Sequence, residues 1–331
     1  MNSQSRISVA MCTFNGSQFV GEQIASIVSQ DVKPDEIVVA DDGSTDDTLD
    51  IVKKCLAEHP SISLRVLENT STEQLGVARN FSRAVDACGG GIVFLSDQDD
   101  VWLTNRVRDA LKLFAAHPAA LIVACDAYLI DDRGQYMGST LFDAVGLSPA
   151  TTLALSSGNA VDLLLRRNDL PGMSMAMRKD LVDGSAHIPA PWMHDYWWAT
   201  LAALSGGLVV TRVPLVKYRQ HANNVLGAGS HSFGARLRKL VMSGSDASRL
   251  TRMFSELDAY AQRTRVDSEV HRRAITEKAA FEAERAQLPR SPILRIPAAI
   301  RLLGAGKYAR YSSNGAMNVF RDLLFAPKEV R

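Results

Sequence analysis

The stretch "GIVFLSDQDDVW", residues 91–102, passes from an apolar run directly into Asp97, Asp99 and Asp100. The apolar run predicts a buried strand, and the carboxylates follow at its end. Carboxylates this close together repel one another unless a positive charge lies among them. Because side chains alternate along an extended chain, Asp97 and Asp99 would point to the same side, where two carboxylates suit a hard divalent cation. The alternative is a solvated acidic turn.

Before this stretch, apolar runs alternate with amphipathic segments. Strands are predicted at 6–14, 35–44, 63–69 and 91–97, and helices at 16–30, 44–59 and 76–91. Strands that alternate with helices predict a parallel sheet covered on both faces. The sequence therefore indicates an α/β fold, in which ligands bind beyond the carboxyl ends of the strands.

Polar residues follow three of these predicted strands. Thr13 and Asn15 come after the first, Asp41 and Asp42 after the second, and the acidic run after the fourth. Because the carboxyl ends of parallel strands meet at one edge, we expect all of these side chains to face one crevice. Asp41 is the better placed to accept from a ribose hydroxyl or a base N–H, whereas Asp42 is either a second ligand or the N-cap of the following helix.

Beyond residue 102 the pattern continues in a looser form. A helix is predicted at 101–118, a strand at 119–131, a helix at 191–206 with Asp195 near its start, and one or two short strands at 207–221. Residues 231–331 predict helices and hold nineteen Lys or Arg against ten Asp or Glu, whereas residues 1–230 hold eighteen against twenty-six. This asymmetry predicts two units, a catalytic one at 1–230 and a basic helical one at 231–331.

Composition and missing motifs exclude several classes of protein. Of the 331 residues, 46% are hydrophobic and 22% charged, as in ordinary globular proteins, and with a net charge of +1 we expect no nucleic-acid partner. The four cysteines form no C-x-x-C pair, which predicts free thiols in a reducing cytoplasm. No signal peptide or membrane span is predicted. The motifs of dinucleotide oxidoreductases, zinc proteases and α/β-hydrolases are also missing.

Four motifs in order carry a resemblance to a known family. They are "TFNG" (13–16), "VADDGSTDDT" (39–48), "GVARNF" (76–81) and "DQDDVW" (97–102). Together they resemble the family 2 glycosyltransferases, and among these the rhamnosyltransferase-like members. The match is strong over residues 6–102 and thinner over 103–225.

The resemblance implies a GT-A type fold, which is a mainly parallel sheet flanked by helices, here with a C-terminal helical extension. Residues 1–102 would form the nucleotide-binding half and residues 103–230 the acceptor half. The implied donor is a UDP- or dTDP-sugar. The residues implied to lie near this nucleotide sugar are Thr13 and Asn15 in the first loop, Asp41 at the base or ribose, Arg79 near the phosphates, and Asp97 at the ribose.

The resemblance also implies the catalytic and metal-binding residues. Asp99 would hold Mn²⁺ or Mg²⁺. Asp195 would act as general base, because an acceptor hydroxyl is a poor nucleophile until a carboxylate takes its proton; alternatively, it is an acid favoured by the helix dipole. Arg219 would clamp the diphosphate. His221 is a metal ligand, a phosphate contact or a structural histidine. The aromatic residues beside Asp195 offer either a sugar-stacking surface or core packing: Trp192, Tyr196, Trp197 and Trp198.

The implied function is inverting transfer of a sugar, rhamnose by the subgroup resemblance, to a hydroxyl of a lipid-linked glycan acceptor in cell-surface polysaccharide or O-antigen synthesis. A nucleotidyltransferase is one alternative, although "CTFNGSQF" (12–19) lacks the basic residues that a triphosphate loop needs. A non-catalytic glycan-binding protein is another. We expect a cytoplasmic protein. Its basic C-terminal region would lie on the inner face of an anionic membrane, pack on the catalytic domain, or form a homodimer.

Overall fold

The computed structural model of the chain describes residues 6–183, 188–221, 247–264, 266, 268–315 and 317–325. These residues fall into two compact units. The first is drawn from Met1–Gly158, Asp169–Ile188 and Met193–Ala228, and the second from Asn159–Asn168, Pro189–Trp192 and Gly229–Arg331. Two short segments that the sequence groups with the first unit, 159–168 and 189–192, thus belong to the second.

The described strands are β1 (Ile7–Thr13), β2 (Glu36–Asp41), β3 (Ser63–Glu68), β4 (Ile92–Ser96), β5 (Val101–Trp102), β6 (Ile122–Ile130), β7 (Tyr136–Thr140), β8 (Met175–Arg178) and β9 (Leu208–Arg219). The helices up to the end of β9 are α1 (Val20–Val28), α2 (Thr48–Ala57), α3 (Val77–Ala87), α4 (Arg106–Ala116), α5 (Leu141–Val145), α6 (Pro149–Leu155), α7 (Ala160–Leu164), α8 (Asp180–Asp183) and α9 (His194–Leu204). They are followed by α10 (Ala247–Arg263), α11 (Glu269–Ala286), α12 (Pro292–Gly304), α13 (Lys307–Tyr311) and α14 (Met317–Leu324).

The first four strands form the parallel sheet that the sequence predicts. β1 pairs in parallel with β2 and β4, and β2 pairs in parallel with β3. β1, β2 and β4 are buried along their whole length, which explains why they read as continuous apolar runs. The α/β class and the C-terminal helices are both confirmed.

The remaining strands give a mixed sheet, in the order β3-β2-β1-β4-β8-β6-β9-β5 with β7 beside β6. β8 runs antiparallel between β4 and β6, while β9 lies parallel to β6 and antiparallel to β5. Two local predictions are corrected. Val101 and Trp102 pair with β9 as a short strand, so the helix begins only at Arg106. Residues 208–219 form one strand, whose register shifts at Pro214.

The link between β4 and β5 requires the sheet to curl. β5 lies four places from β4 in the strand order. In a flat sheet these places would separate the two strands by about 19 Å. The link from Ser96 to Val101 reaches at most about 18 Å when fully extended, and the chain bends at Gln98 and Asp99. The sheet therefore curls until β5 approaches β4, and the ring of Trp102 lies 5.6 Å from that of Phe94.

The second unit consists of helices around an interior that is partly ionic. Phe281, Tyr308 and Tyr311 form a small apolar cluster with residues of α12 and α14. Beside this cluster, buried charged side chains form a connected network: Lys278, Glu282, Arg285 and Asp322. Of the helices in the described ranges, none is long and apolar enough to cross a bilayer.

Candidate functional site

The acidic link between β4 and β5 is offset by two buried arginines. The guanidinium of Arg106, on α4, lies 4.2 Å from the ring of Trp102 and donates to the carbonyl oxygens of Leu95 and Met175. Burial and the neighbouring carboxylates raise the pKa of both Asp97 and Asp100, and the charge of Arg106 partly opposes this rise. The positive charge that the sequence requires near the carboxylates is thus supplied, in part, by the protein itself.

Arg219 at the end of β9 holds the same link from the other side. Its backbone N–H donates to Asp100, and its guanidinium donates to the carbonyl oxygen of Asp99 at 2.8 Å and to Glu22 at 2.6 Å. The guanidinium also stacks on the ring of Phe19, 4.7 Å away. With only 2% of its side chain exposed, Arg219 positions the acidic link, and we assign it this role in place of the predicted diphosphate clamp.

Asp97 is half-buried and carries no side-chain hydrogen bond within the described part of the chain. The pKa of Asp97 is raised to about 7, first by burial and then by the charges of Asp99 and Asp195, while the charge of Arg106 opposes the rise. A carboxylate that is partly desolvated and unpaired costs free energy unless a ligand pairs with it. Asp97 is therefore available to a ligand.

Asp99 and His221 lie together at the end of β9. Asp99 Oδ2 is 2.8 Å from His221 Nε2, and the imidazole packs against Phe19 with a ring separation of 5.0 Å. An oxygen and a nitrogen donor beside the crowded carboxylates are a set that suits Mn²⁺. Among the residues that the structure describes, no three His, Cys, Asp or Glu side chains are grouped to hold a metal. Asp99 and His221 would therefore supply only part of a coordination sphere.

Asp195 lies in the first turn of α9 and is buried. Burial raises the pKa of Asp195 to about 6, although the backbone N–H groups of Tyr196 and Gly172 donate to it and partly oppose the shift. Asp195 is close enough for its charge to raise the pKa of Asp97. The structure thus places the residue predicted as general base within electrostatic range of Asp97 in the acidic link.

The neighbours of Asp195 are core residues rather than a sugar platform. His194 stacks on Phe81 with a ring separation of 4.0 Å, and burial lowers the pKa of His194 to about 3, so that the ring is neutral. Gly172 is required here because a Cβ at its position would lie 2.4 Å from His194 Nε2. Of the four aromatic residues named for a stacking surface, Trp192, Trp197 and Trp198 are buried and pack in the core, whereas Tyr196 is half-buried.

Asp41 shapes the loop after β2. Its two oxygens accept four hydrogen bonds, from Thr13 Oγ1, Ser44 Oγ and the backbone N–H groups of Gly43 and Ser44. A carboxylate has about four lone-pair sites, so none remains for a base or a ribose. We therefore assign Asp41 and Thr13 to positioning this loop, in place of the predicted nucleotide contact of Asp41.

Asp42 sets the start of α3 instead of capping α2, which begins only at Thr48. Its carboxylate accepts from the backbone N–H groups of Leu75 and Gly76, at 2.8 and 2.9 Å. Arg79 follows in the first turn of α3, is exposed, and forms no ion pair with any described residue. Arg79 therefore offers a positive charge at the start of α3 that no described acidic side chain neutralises.

The first loop is exposed at Asn15, whose side-chain oxygen accepts from the backbone N–H of Thr45 at 2.8 Å. Gln98, to which the sequence assigned no role, clamps the same loop: it accepts from the N–H of Phe14 at 2.8 Å and donates to the carbonyl oxygen of Phe14 at 3.1 Å. A Cβ on Gly16 would lie 2.2 Å from the amide oxygen of Gln98. The two hydrogen bonds between Gln98 and Phe14 thus fix the "TFNG" loop relative to the acidic link.

We expect Gly16→Ala and Gln98→Ala to have the same effect, because both break this clamp. Each should lower kcat/KM for transfer by roughly 10–100-fold through misplacement of the acidic link. The double variant should be no worse than either single one, since residues in direct contact are not additive. Gly158→Ala, where nothing lies within 4 Å, is the matched control. Effects that multiply in the double variant would contradict the clamp.

Similarity to known proteins agrees with this geometry. Residues 8–182 match the model of glycosyl transferase family 2. Over 243 residues, the chain is 26% identical to the dTDP-rhamnosyl transferase RfbG of Shigella flexneri, with 70% of this chain and 78% of that protein covered.

Two solved structures share the fold. TarS 1–349 of S. aureus, in complex with UDP-GlcNAc, gives a TM-score of 0.54 at 17% identity, over 96% of this chain and 90% of that one. The mannosyltransferase PcManGT of Pyrobaculum calidifontis, in complex with GDP-Man and Mn²⁺, gives 0.53 at 19% identity, over 97% and 86%. At these identities the likeness shows the GT-A fold.

Proposed function

Because the chain belongs to glycosyl transferase family 2, we propose that it transfers a sugar from a nucleoside-diphosphate donor to a hydroxyl of a glycan acceptor, with inversion at the anomeric carbon. The observation that carries this proposal is the pair of carboxylates Asp97, half-buried, and Asp195, buried, which are close enough for the charge of Asp195 to raise the pKa of Asp97. One carboxylate would contact the donor, and the other would take the proton of the acceptor.

Asp195 is the general base of the proposed reaction. With a pKa of about 6, it is ionised at neutral pH and still basic enough to accept a proton as the acceptor oxygen attacks. The acceptor oxygen then bonds to the anomeric carbon, and the bond from that carbon to the diphosphate breaks. Asp97 would hold the ribose of the donor, Asn15 would lie beside the nucleotide, and Arg79 would lie near the phosphates.

Asp99 and His221 would hold a divalent cation, Mn²⁺ or Mg²⁺. Bound there, the ion would stabilise the negative charge that develops on the leaving diphosphate. The structure of PcManGT holds Mn²⁺ together with its donor, which supports this part of the proposal. His221 must be neutral to bind a cation, and its hydrogen bond with Asp99 must then be exchanged for the shared ion.

The donor is proposed to be a UDP- or dTDP-sugar, with rhamnose favoured by the similarity to RfbG. The acceptor is proposed to be a lipid-linked glycan of cell-surface polysaccharide synthesis. Thermal unfolding with a panel of UDP-, dTDP- and GDP-sugars in the presence of Mn²⁺ tests the donor. A donor present at 100 times its Kd stabilises the native state by about 2.7 kcal/mol. If no sugar nucleotide in the panel raises the Tm, the proposed function fails.

We expect EDTA to abolish transfer without lowering the Tm of the donor-free protein. Arg106 and Arg219 already offset the acidic link, so the fold does not depend on a cation for charge balance. Activity should return when Mn²⁺ is added back, and Asp99→Asn should need a higher Mn²⁺ concentration for half-maximal rate. Undiminished transfer in EDTA would contradict the metal site.

A further inference from the structure

Two helices of the second unit each expose an apolar face and bury a charged side chain, Arg295 on α12 and Asp322 on α14. On α12, the exposed residues recur at helical spacing: Ile293, Ile296, Ile300 and Leu303. Ile293 is 76% exposed, whereas Arg295 is 2% exposed. The same inversion holds on α14, where Met317, Phe320 and Leu324 are exposed. A packed amphipathic helix normally turns its apolar stripe inward.

The buried charged side chains explain why each helix packs with its apolar face towards the solvent. Arg295 donates to the carbonyl oxygen of Asp322 at 2.9 Å, which ties α12 to α14. The carboxylate of Asp322 receives both a two-pronged bond from Arg285, at 2.6 and 2.9 Å, and the hydroxyl of Tyr308. Turning either helix over would leave these charges unpaired in the interior, at a high cost.

The region around these faces is strongly basic. Residues 290–331 contain eight Lys or Arg against two Asp or Glu. The helix α11, which packs beside them, has a net charge of zero, with four basic and four acidic side chains. It therefore does not cancel the net positive charge of residues 290–331. By helical spacing, Arg301 lies at the border of the stripe on α12; it is 72% exposed and also pairs with Glu284 of α11 at 3.2 Å.

We propose that the exposed faces of α12 and α14 bind the surface of an anionic membrane. Exposed apolar stripes next to basic residues are the pattern of interfacial helices, whose apolar side enters the boundary between headgroups and acyl chains while cations meet anionic lipids. A second copy of this chain would bring the same positive charge against itself, which disfavours self-association. The interface would require no helix to span the bilayer.

Flotation of the purified full-length chain with phospholipid vesicles tests this surface. With equimolar phosphatidylcholine and phosphatidylglycerol, the wild type is expected to float at low salt, and with phosphatidylcholine alone markedly less. The double variant Ile300→Asp/Phe320→Asp should reduce the bound fraction at least about tenfold. The matched control is Leu153→Asp/Val213→Asp, which charges two exposed apolar positions of the first unit and should float like the wild type.

Three outcomes would overturn the proposal. Failure of the wild type to float with anionic vesicles is the first, and equal flotation of Ile300→Asp/Phe320→Asp is the second. The third is a dimer in light scattering that dissociates in this variant while vesicles remain unbound, because a second copy would then cover the faces. Circular dichroism of each variant establishes that it is folded before flotation is compared.

Discussion

Asp195→Asn is expected to slow sugar transfer by about 10²–10⁴-fold, the usual contribution of a general base, while donor binding is retained. Asparagine keeps the shape of the side chain and an oxygen that can accept from the N–H of Tyr196, but it cannot take a proton from the acceptor. Single-turnover transfer measures the rate, and titration with the sugar nucleotide measures binding. Transfer at the wild-type rate would remove Asp195 from the mechanism.

The pH profile gives an independent check on Asp195. Burial raises its pKa to about 6, so the carboxylate is protonated below that pH and the rate should fall towards acid. Asp97 titrates in the neighbouring range, with a pKa of about 7, so the profile of the wild type alone does not distinguish the two. The slow residual transfer of Asp195→Asn should lack the part of the acid fall that belongs to Asp195.

A purely structural role for Asp195 has a different signature. Asp109 also lies in a first helical turn, but Arg108, Lys112 and Asn105 donate to it and hold its pKa well below the usual range. Asp109→Asn should therefore lower the Tm without slowing transfer. The raised pKa of Asp195 has the opposite sign: its ionised form is disfavoured by folding, so it costs stability as pH rises from about 4 through about 6. A loss of Tm without loss of transfer in Asp195→Asn would indicate the structural role.

The second large effect is expected in the helical unit. Asp322→Ala leaves Arg285 buried without its two-pronged partner, and breaking a buried pair of this kind costs about 3–5 kcal/mol. Hydrogen exchange of amides in α11 and α14 measures the loss within this unit, which is preferable because a chain of two units need not unfold in one step. We expect exchange through global opening of the unit to become at least about a hundredfold faster.

Two further variants separate the buried network from surface charge. Glu284→Ala removes ion pairs to Arg301 and Lys307 that are partly exposed, and should cost less than about 1 kcal/mol. The double variant Arg285→Met/Asp322→Leu should be less destabilised than Asp322→Ala, because it removes both charges instead of stranding one. Equal exchange rates in Asp322→Ala and Glu284→Ala would contradict the assignment of a buried network.

The strands and helices of the first hundred residues could be predicted from the sequence because all four strands belong to one parallel sheet and three of them, β1, β2 and β4, are buried along their whole length. Beyond that, periodicity identifies which residues share a face but not which face turns inward. The stripe from Ile293 to Leu303 on α12 has the pattern of a core face and lies at the surface. A strand of two residues is too short to show a periodicity. The sequence pattern therefore includes β5 in the helix that follows it.

The candidate site likewise contains some residues whose placement could be predicted and others whose bonding partners could not. The placement of Asp97, Asp99 and Asp195 could be predicted because each needs only a position at a strand or helix end, and their roles stay predictions. Asp41 and Arg219 have the right chemistry, but their bonding capacity is taken up by neighbours that only the folded chain brings near. Arg106 is visible in the sequence merely as a charge on the apolar side of α4, beside Val107, Ala110 and Phe114.

The link between β4 and β5 also limits how this chain can vary. Its five-residue step from Ser96 to Val101 joins strands that lie four places apart in the strand order. A substitution between Ser96 and Val101 alters one side chain, whereas an inserted or deleted codon would shift β4 against β5 and move the acidic residues together. Under the proposed function, donor preference can therefore change through point mutation at this link, whereas a change in its length would disturb the sheet.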